Sequence, residues 1–338
     1  MRLMNTFQSS IPFTIKLTLG VLTLFIMFIM AMIFGAADIS LKDVWLALTT
    51  TATGERLSII REIRLPREVA AILVGAALAV AGAIMQGLTR NPLADPGILG
   101  LTAGANATLA ITLAILPSTN YFGLTVACFI GAAIGTLLVF GIGAVNKGGF
   151  SPLRIVLAGT AVSTFLYAIA EGIGIYFKLT KNVSMWTAGG LIGTNWSQIK
   201  IIFPFIIIGI LIALVFSKQL TVLSLNEEVA IGLGQNITKI KTVLYITIIF
   251  LAGAAVALVG NMVFIGLMIP HIVRAIVGTD YRFIIPMAAI IGATFMLFAD
   301  TLARTINAPF ETPIAAIVVT IGLPFFLFIV RKGGKTFS

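Results

Sequence analysis

Cysteine and histidine, the residue types behind most metal ligation and much nucleophilic or general-base chemistry, occur once each in this chain, as Cys128 and His271. Cys128 lies inside an apolar run, so no intrachain disulfide can form and a Cys/His metal cage lacks its ligands. His271 sits in Ile269-Pro270-His271-Ile272 with no acid beside it to orient an imidazole. A packed or interfacial histidine accounts for it; a Ser/His/Asp arrangement does not. The tail Gly333-Gly334-Lys335-Thr336 imitates the end of a phosphate-binding loop. That loop needs a glycine five residues before its last one, where Ile329 stands, and neither a preceding strand nor a following helix is expected. No ATP site of the chain's own, no cofactor and no catalytic set are expected.

The remaining candidates are charges in unusual company. Arg56, Arg61, Arg64 and Arg67 form a basic run just before a long apolar stretch, and Glu171 lies inside another. An acid at membrane depth is a functional suspect; the plainer account of Glu171 is a carboxylate snorkelling outward. In Leu225-Asn226-Glu227-Glu228-Val229-Ala230-Ile231-Gly232-Leu233-Gly234, Asn226 can cap a helix whose first turn holds two acids and whose end is marked by glycine. Such a short helix suits a partner protein or a solvated connector.

The elements that position these residues follow from composition. Hydrophobic residues make up 59% of the 338 and charged residues 10%, against about a quarter charged in a soluble domain, and mean hydropathy is +1.10. Apolar stretches near 13–36, 69–88, 98–116, 121–145, 155–177, 201–217, 242–259, 262–279, 284–303 and 313–330 predict an all-α polytopic membrane protein with ten spans, so that both termini share one side. Small residues after the first stretch, at Gly35, Ala36 and Ala37, imitate a signal-peptide cleavage site, but its length and the nine later stretches predict a retained helix. The net charge of +10 is scattered through short loops, which argues against nucleic acid.

With cytoplasmic termini, thirteen of the 22 basic residues fall inside: Arg2, Lys16, Arg90, Lys147, Arg154, Lys218, Lys239, Lys241, Arg274, Arg282, Arg331, Lys332 and Lys335. Nine stay outside, with the arginine run at their centre. A cluster kept outside against the insertion bias is expected to have a partner. Gly131 and Gly135, and Gly75 with Ala79 and Ala83, are read as close helix packing. Residues 73–82 (LVGAALAVAG) echo 251–260 (LAGAAVALVG), six of ten positions being identical, and both copies lead into Gly-Leu and then proline. In spans running opposite ways, these would be inverted repeats, a common transporter architecture.

Arg64-Leu65-Pro66-Arg67, Gln86-Gly87 and Arg90-Asn91-Pro92-Leu93-Ala94-Asp95-Pro96-Gly97-Ile98-Leu99-Gly100 strongly resemble the FecCD permeases. The likeness continues through Trp186-Thr187-Ala188-Gly189-Gly190-Leu191 and Trp196, Glu228 to Gly234, Phe264 to Arg274, Asp280-Tyr281-Arg282, Ala299-Asp300 with Arg304, Glu311-Thr312-Pro313-Ile314 and Gly322 to Phe326. It covers about 60 to 332. Tyr281 stands where histidine is common, and Thr187-Ala188-Gly189 replaces a bulkier Leu-Met-Gly near the expected path, which leaves the cargo open.

The resemblance implies one permease domain over 1–338, a type II ABC importer permease with ten spans in inverted halves, in a bacterial plasma membrane with cytoplasmic termini. It implies a second permease subunit, self or paralogue, with ABC ATPase subunits below and a substrate-binding protein above. It also implies a ferric siderophore of hydroxamate or catecholate type as cargo, or alternatively haem or cobalamin. Arg64, Arg67 and Arg304 match positions that receive acidic lobes of the binding protein. Asn226, Glu227, Glu228, Val229, Ala230 and Leu233, within a cytoplasmic loop at 222–237, match the coupling helix that meets the ATPase. Trp186 and Glu171 are the path candidates. An ion-coupled secondary transporter would need acids at mid-membrane, and an intramembrane enzyme a catalytic or metal set; neither is expected here.

Overall fold

The computed structural model describes residues 11–35, 39–144, 152–308 and 310–333. Arg2, Ala36, Ala37, Lys147 and Gly334-Lys335-Thr336 lie outside them. Among the described residues the chain is helical, with no strand: α1 (Phe13–Ile33), α2 (Leu41–Thr49), α3 (Glu55–Ile59), a π turn (Ile60–Arg64), α4 (Leu65–Thr89), a 3-10 turn (Pro96–Leu99), α5 (Leu101–Ile115), α6 (Tyr121–Ala144), α7 (Pro152–Tyr176), α8 (Thr180–Thr187), α9 (Trp196–Val215), α10 (Ser217–Leu225), α11 (Glu227–Gly232), α12 (Ile237–Val259), α13 (Ile265–Val277), α14 (Tyr281–Thr305) and α15 (Ile314–Gly333).

Among the described residues seven helices are long and apolar enough to cross a membrane, and Leu101–Ile115, Ile265–Val277 and Ile314–Phe328 are shorter apolar helices. Each expected span overlaps one of these ten. The first span stops at Ile33 because Phe34 is extended. The third starts late, at Leu101, because Gly100 takes a left-handed φ of 77° after the 3-10 turn. Sequence periodicity did not separate α2, α3, α8 and α10 from loop. At α2 the signal was present, since Ser40 and Asp43 form a reciprocal N-terminal cap.

One apolar cluster runs from Ala31 to Val318, with α4 and α12 at its centre. The most apolar window of the α3–α4 segment is 89% buried and that of α1 only 11%, so α4 is a core helix and α1 a peripheral one. Small residues decide this: a side chain at Gly75 would overlap the backbone of Gly292, one at Gly82 that of Gly266, and one at Gly104 that of Gly131. Pro270 within α13 removes the N–H that would serve the Gly266 carbonyl. Gln86 Nε2 replaces it, donating to Gly266 O and Leu267 O at 3.2 Å each. The two copies of the internal echo differ in structure. Gly82 stays helical and α4 continues to Thr89, whereas Gly260 has φ 74° and ends α12.

Candidate functional site

Three groups of residues stand out, at two ends of the bundle and along α7. At the first end, Arg64, Arg67 and Arg304 are all buried and all have partners inside the chain. Arg64 Nη1 donates to Met32 O (2.6 Å) and Ile33 O (2.8 Å), and Arg304 Nη2 to Ala31 O (3.2 Å). These are carbonyls of the last turn of α1, the negative end of its dipole. Arg61 does the same for α2, donating to Ala47 O at 2.9 Å and also to Thr50 O.

Acids complete the cluster. Arg67 Nε and Nη2 meet Asp300 Oδ1 at 3.0 and 2.9 Å, while Nη1 and Nη2 hold Glu311 at 2.8 and 3.0 Å in a bidentate pair. Arg304 Nη2 donates to Glu68 Oε1 at 2.5 Å. Its Nε lies 2.9 Å from Asp300 Oδ2, close enough for Coulomb attraction but off the hydrogen-bond direction. Glu68 and Asp300 side chains are 0% exposed and Glu311 is 34% exposed, so Glu311 alone of the three acids reaches solvent. Arg64, Arg67 and Arg304 therefore each have partners within the chain. Glu68, Asp300 and Glu311 were not singled out as partners from sequence, although Arg64/Glu68 and Asp300/Arg304 stand at i, i+4, the spacing of helical ion pairs.

At the other end, Asn226 caps α11 by accepting from Glu228 N at 2.9 Å, as its residue type suggests. Glu227 Oε1 pairs with Lys241 Nζ (2.8 Å) on α12 and with Arg90 (3.2 Å) after α4. Glu228 is exposed, Ala230 is buried, and Val229, Ile231 and Leu233 are exposed apolar residues. Nearby, Asp280 accepts from Arg282 Nη2 at 2.6 Å and from Thr221 Oγ1 at 3.1 Å, tying α10 to the start of α14. The Arg282 hydrogen bond holds the Asp280 carboxyl below its ordinary range. α13 is tied to its own neighbours by one hydrogen bond and one ring contact: Arg274 Nη2 donates to Gln86 Oε1 on α4, and His271 packs edge-on to Phe325 on α15.

Along α7, Thr160, Thr164, Tyr167 and Glu171 are exposed at i, i+4, i+7 and i+11, one stripe of a helix apolar enough to span. That spacing was readable in the sequence, where only Glu171 drew attention. The stripe borders a cavity of about 480 Å³ shared with the Asp95 turn and the Asn261–Phe264 segment. Trp186 on α8 is half-buried against the core, its carbonyl beside Gly260. Among the described residues no group of three or more His, Cys, Asp or Glu could hold a metal ion.

This chain is 46% identical over 301 residues, 88% of its own length and 78% of the relative's, to the iron(3+)-hydroxamate import permease FhuB of Bacillus subtilis. It is 42% identical to the Fe(3+)-citrate import permease YfmD of the same organism, covering 88% of this chain and 89% of that one. It is 36% identical to the hemin transport permease HmuU of Yersinia pestis, covering 88% and 90%. The solved structure of a metal-chelate type ABC transporter in an inward-facing conformation matches 94% of this chain and 99% of its own, with a TM-score of 0.82 at 27% identity. Residues 23–332 match the model of the FecCD transport family, and the chain belongs to that family as a membrane permease subunit of an ABC importer for iron chelates.

Proposed function

We propose that this chain carries a ferric siderophore across a bacterial plasma membrane as one of two permease subunits, with ten crossings in inverted halves and cytoplasmic termini. The single observation that carries the proposal is the stripe of Thr160, Thr164, Tyr167 and Glu171: polar groups open on a spanning helix are mismatched to lipid. A second permease subunit facing α7 across an aqueous path resolves the mismatch. The likeness to a hydroxamate permease supports the cargo, and the hemin relative favours haem as the second reading.

The 222–237 segment fits the coupling role in this proposal. Glu227, braced by Arg90 and Lys241, holds α11 against α12, while Val229, Ile231 and Leu233 offer an apolar surface to an ATPase subunit. Docking of a substrate-binding protein is assigned to the end where Arg64, Arg67 and Arg304 lie. Three acids already match these three cations, so an incoming carboxylate gains net attraction by taking the place of Glu311 on Arg67. Trp186 braces α12 beside the path, and Glu171 lies on its wall.

The test is reconstitution in proteoliposomes with the partner permease and binding protein, with and without the ATPase, under imposed proton and sodium gradients. ATP-dependent accumulation of a ferric siderophore is expected only with the ATPase present. Accumulation above the outside concentration without it would replace the proposal with an ion-coupled transporter, because only differential coupling to an energy source drives uphill movement.

A further inference from the structure

Sequence identity alone does not choose between hydroxamate and citrate relatives, at 46% and 42%, but these cargos differ in charge. A ferric tris-hydroxamate core is uncharged, whereas tris-catecholate and citrate chelates are polyanions. The cavity beside α7 is lined by Asp95, Thr102, Thr160, Ser163, Thr164, Tyr167 and Asn261 among apolar side chains, and among the described residues no Lys, Arg or His lines it. Its hydroxyls are also oriented. Thr160 Oγ1 donates to Val156 O and Thr164 Oγ1 to Thr160 O, each at 2.9 Å, so both turn lone pairs rather than hydrogens to the cavity. Asp95 adds carboxylate oxygens, one already accepting from Gly97 N at 2.7 Å, and Glu171 continues the same stripe.

The acceptors of Thr160, Thr164 and Asp95 suit a ligand that brings donors, such as amide N–H or ammonium groups. The donors of Ser163, Tyr167 and Asn261 are neutral and stand beside the acids Asp95 and Glu171, so a polyanion entering would lose hydration with no cation to replace it. We infer that the cavity between α7, the Asp95 turn and the Asn261–Phe264 segment selects chelates by charge, admitting uncharged or cationic tris-hydroxamates and rejecting polyanionic catecholate and citrate chelates. The inference rests on the siderophore-permease proposal and deepens it.

The test separates the permease from its binding protein, which has a specificity of its own. The full chain in its complex with the ATPase, in nanodiscs without binding protein, is titrated at low salt with a gallium tris-hydroxamate and a gallium tris-catecholate of similar size. The uncharged chelate is expected to bind at least about tenfold more tightly, since repulsion acts on each of three charges. Thr164→Lys, with Thr160→Lys as a second variant one turn away, should raise tris-catecholate affinity at least about tenfold and so narrow or invert the preference between the two chelates. Equal or tighter binding of the trianion by the unaltered chain, or an unchanged ratio in both lysine variants, would overturn the inference. Binding of neither chelate, with ATP-driven transport of the uncharged one intact in the full system, would remove the site and leave the permease proposal standing. Failure of ATP-driven transport of every chelate would overturn that proposal itself.

Discussion

Replacing Asp300 with asparagine tests whether the arginine cluster holds the helix ends at its end of the bundle together. Asp300 is fully buried and serves two guanidinium groups, Arg67 at 2.9 Å and Arg304 at 2.9 Å. Asparagine keeps the volume and an acceptor but removes the charge, leaving two buried cations facing Glu68 and the partly exposed Glu311. Breaking a buried pair from one side costs about 3–5 kcal/mol, because the orphaned charge stays desolvated. At ~1.4 kcal/mol per decade, that is about two to three and a half orders of magnitude in the unfolding equilibrium. Glu311→Gln is the internal control: its side chain is 34% exposed, and such a pair is worth about 1 kcal/mol or less. Reversible unfolding in mixed micelles measures both. Amide exchange gives a local check, because Arg64 and Arg304 hold the carbonyls of Ala31, Met32 and Ile33, so the end of α1 should lose protection in Asp300→Asn and keep it in Glu311→Gln. If Asp300→Asn unfolds within ~0.5 kcal/mol of the unaltered chain, or Glu311→Gln loses as much, the cluster is not the brace its geometry implies.

Glu311→Gln should instead strengthen binding-protein docking severalfold at low salt, since it removes the acid that competes for Arg67; unchanged or weaker docking by surface plasmon resonance counts against exchange at that site. Gly82→Ala should cost about 1–3 kcal/mol or more in the same unfolding assay, because a methyl there meets the Gly266 backbone rather than a movable side chain. Glu227→Gln should lower substrate-stimulated ATP hydrolysis about fivefold, as loss of ~1 kcal/mol of bracing implies, and Glu228→Gln should leave it near normal; the reverse order would show that the exposed acid makes the contact. The Asp280 carboxyl is held below its ordinary value by Arg282, so its stabilisation is full above about pH 4 and fades as pH falls through the depressed value. Asp280→Asn should therefore differ from the unaltered chain in unfolding near neutral pH and converge with it as pH falls below the depressed value.

What the sequence determined by itself was the solvent and the order of the helices. Apolar stretches of spanning length can only be helices in lipid, and every expected span overlaps an observed apolar helix. Capping was equally local: Asn226 and the acids after it specify α11 without tertiary help, as its cap bond to Glu228 N shows. Tertiary structure decided where the charges go. The arginine run read only as outward, because sequence reports no more than the side of the membrane; the burial of Arg64 and Arg67 depends on α1 ending against Arg64 and on Asp300 and Glu311 reaching Arg67 from far along the chain. The echoed segments at 73–82 and 251–260 parted for a similar reason. Gly82 is held helical by close contact with Gly266, whereas Gly260 turns left-handed where α12 meets the Trp186 carbonyl. A glycine permits either backbone, and only its neighbours in space choose between them.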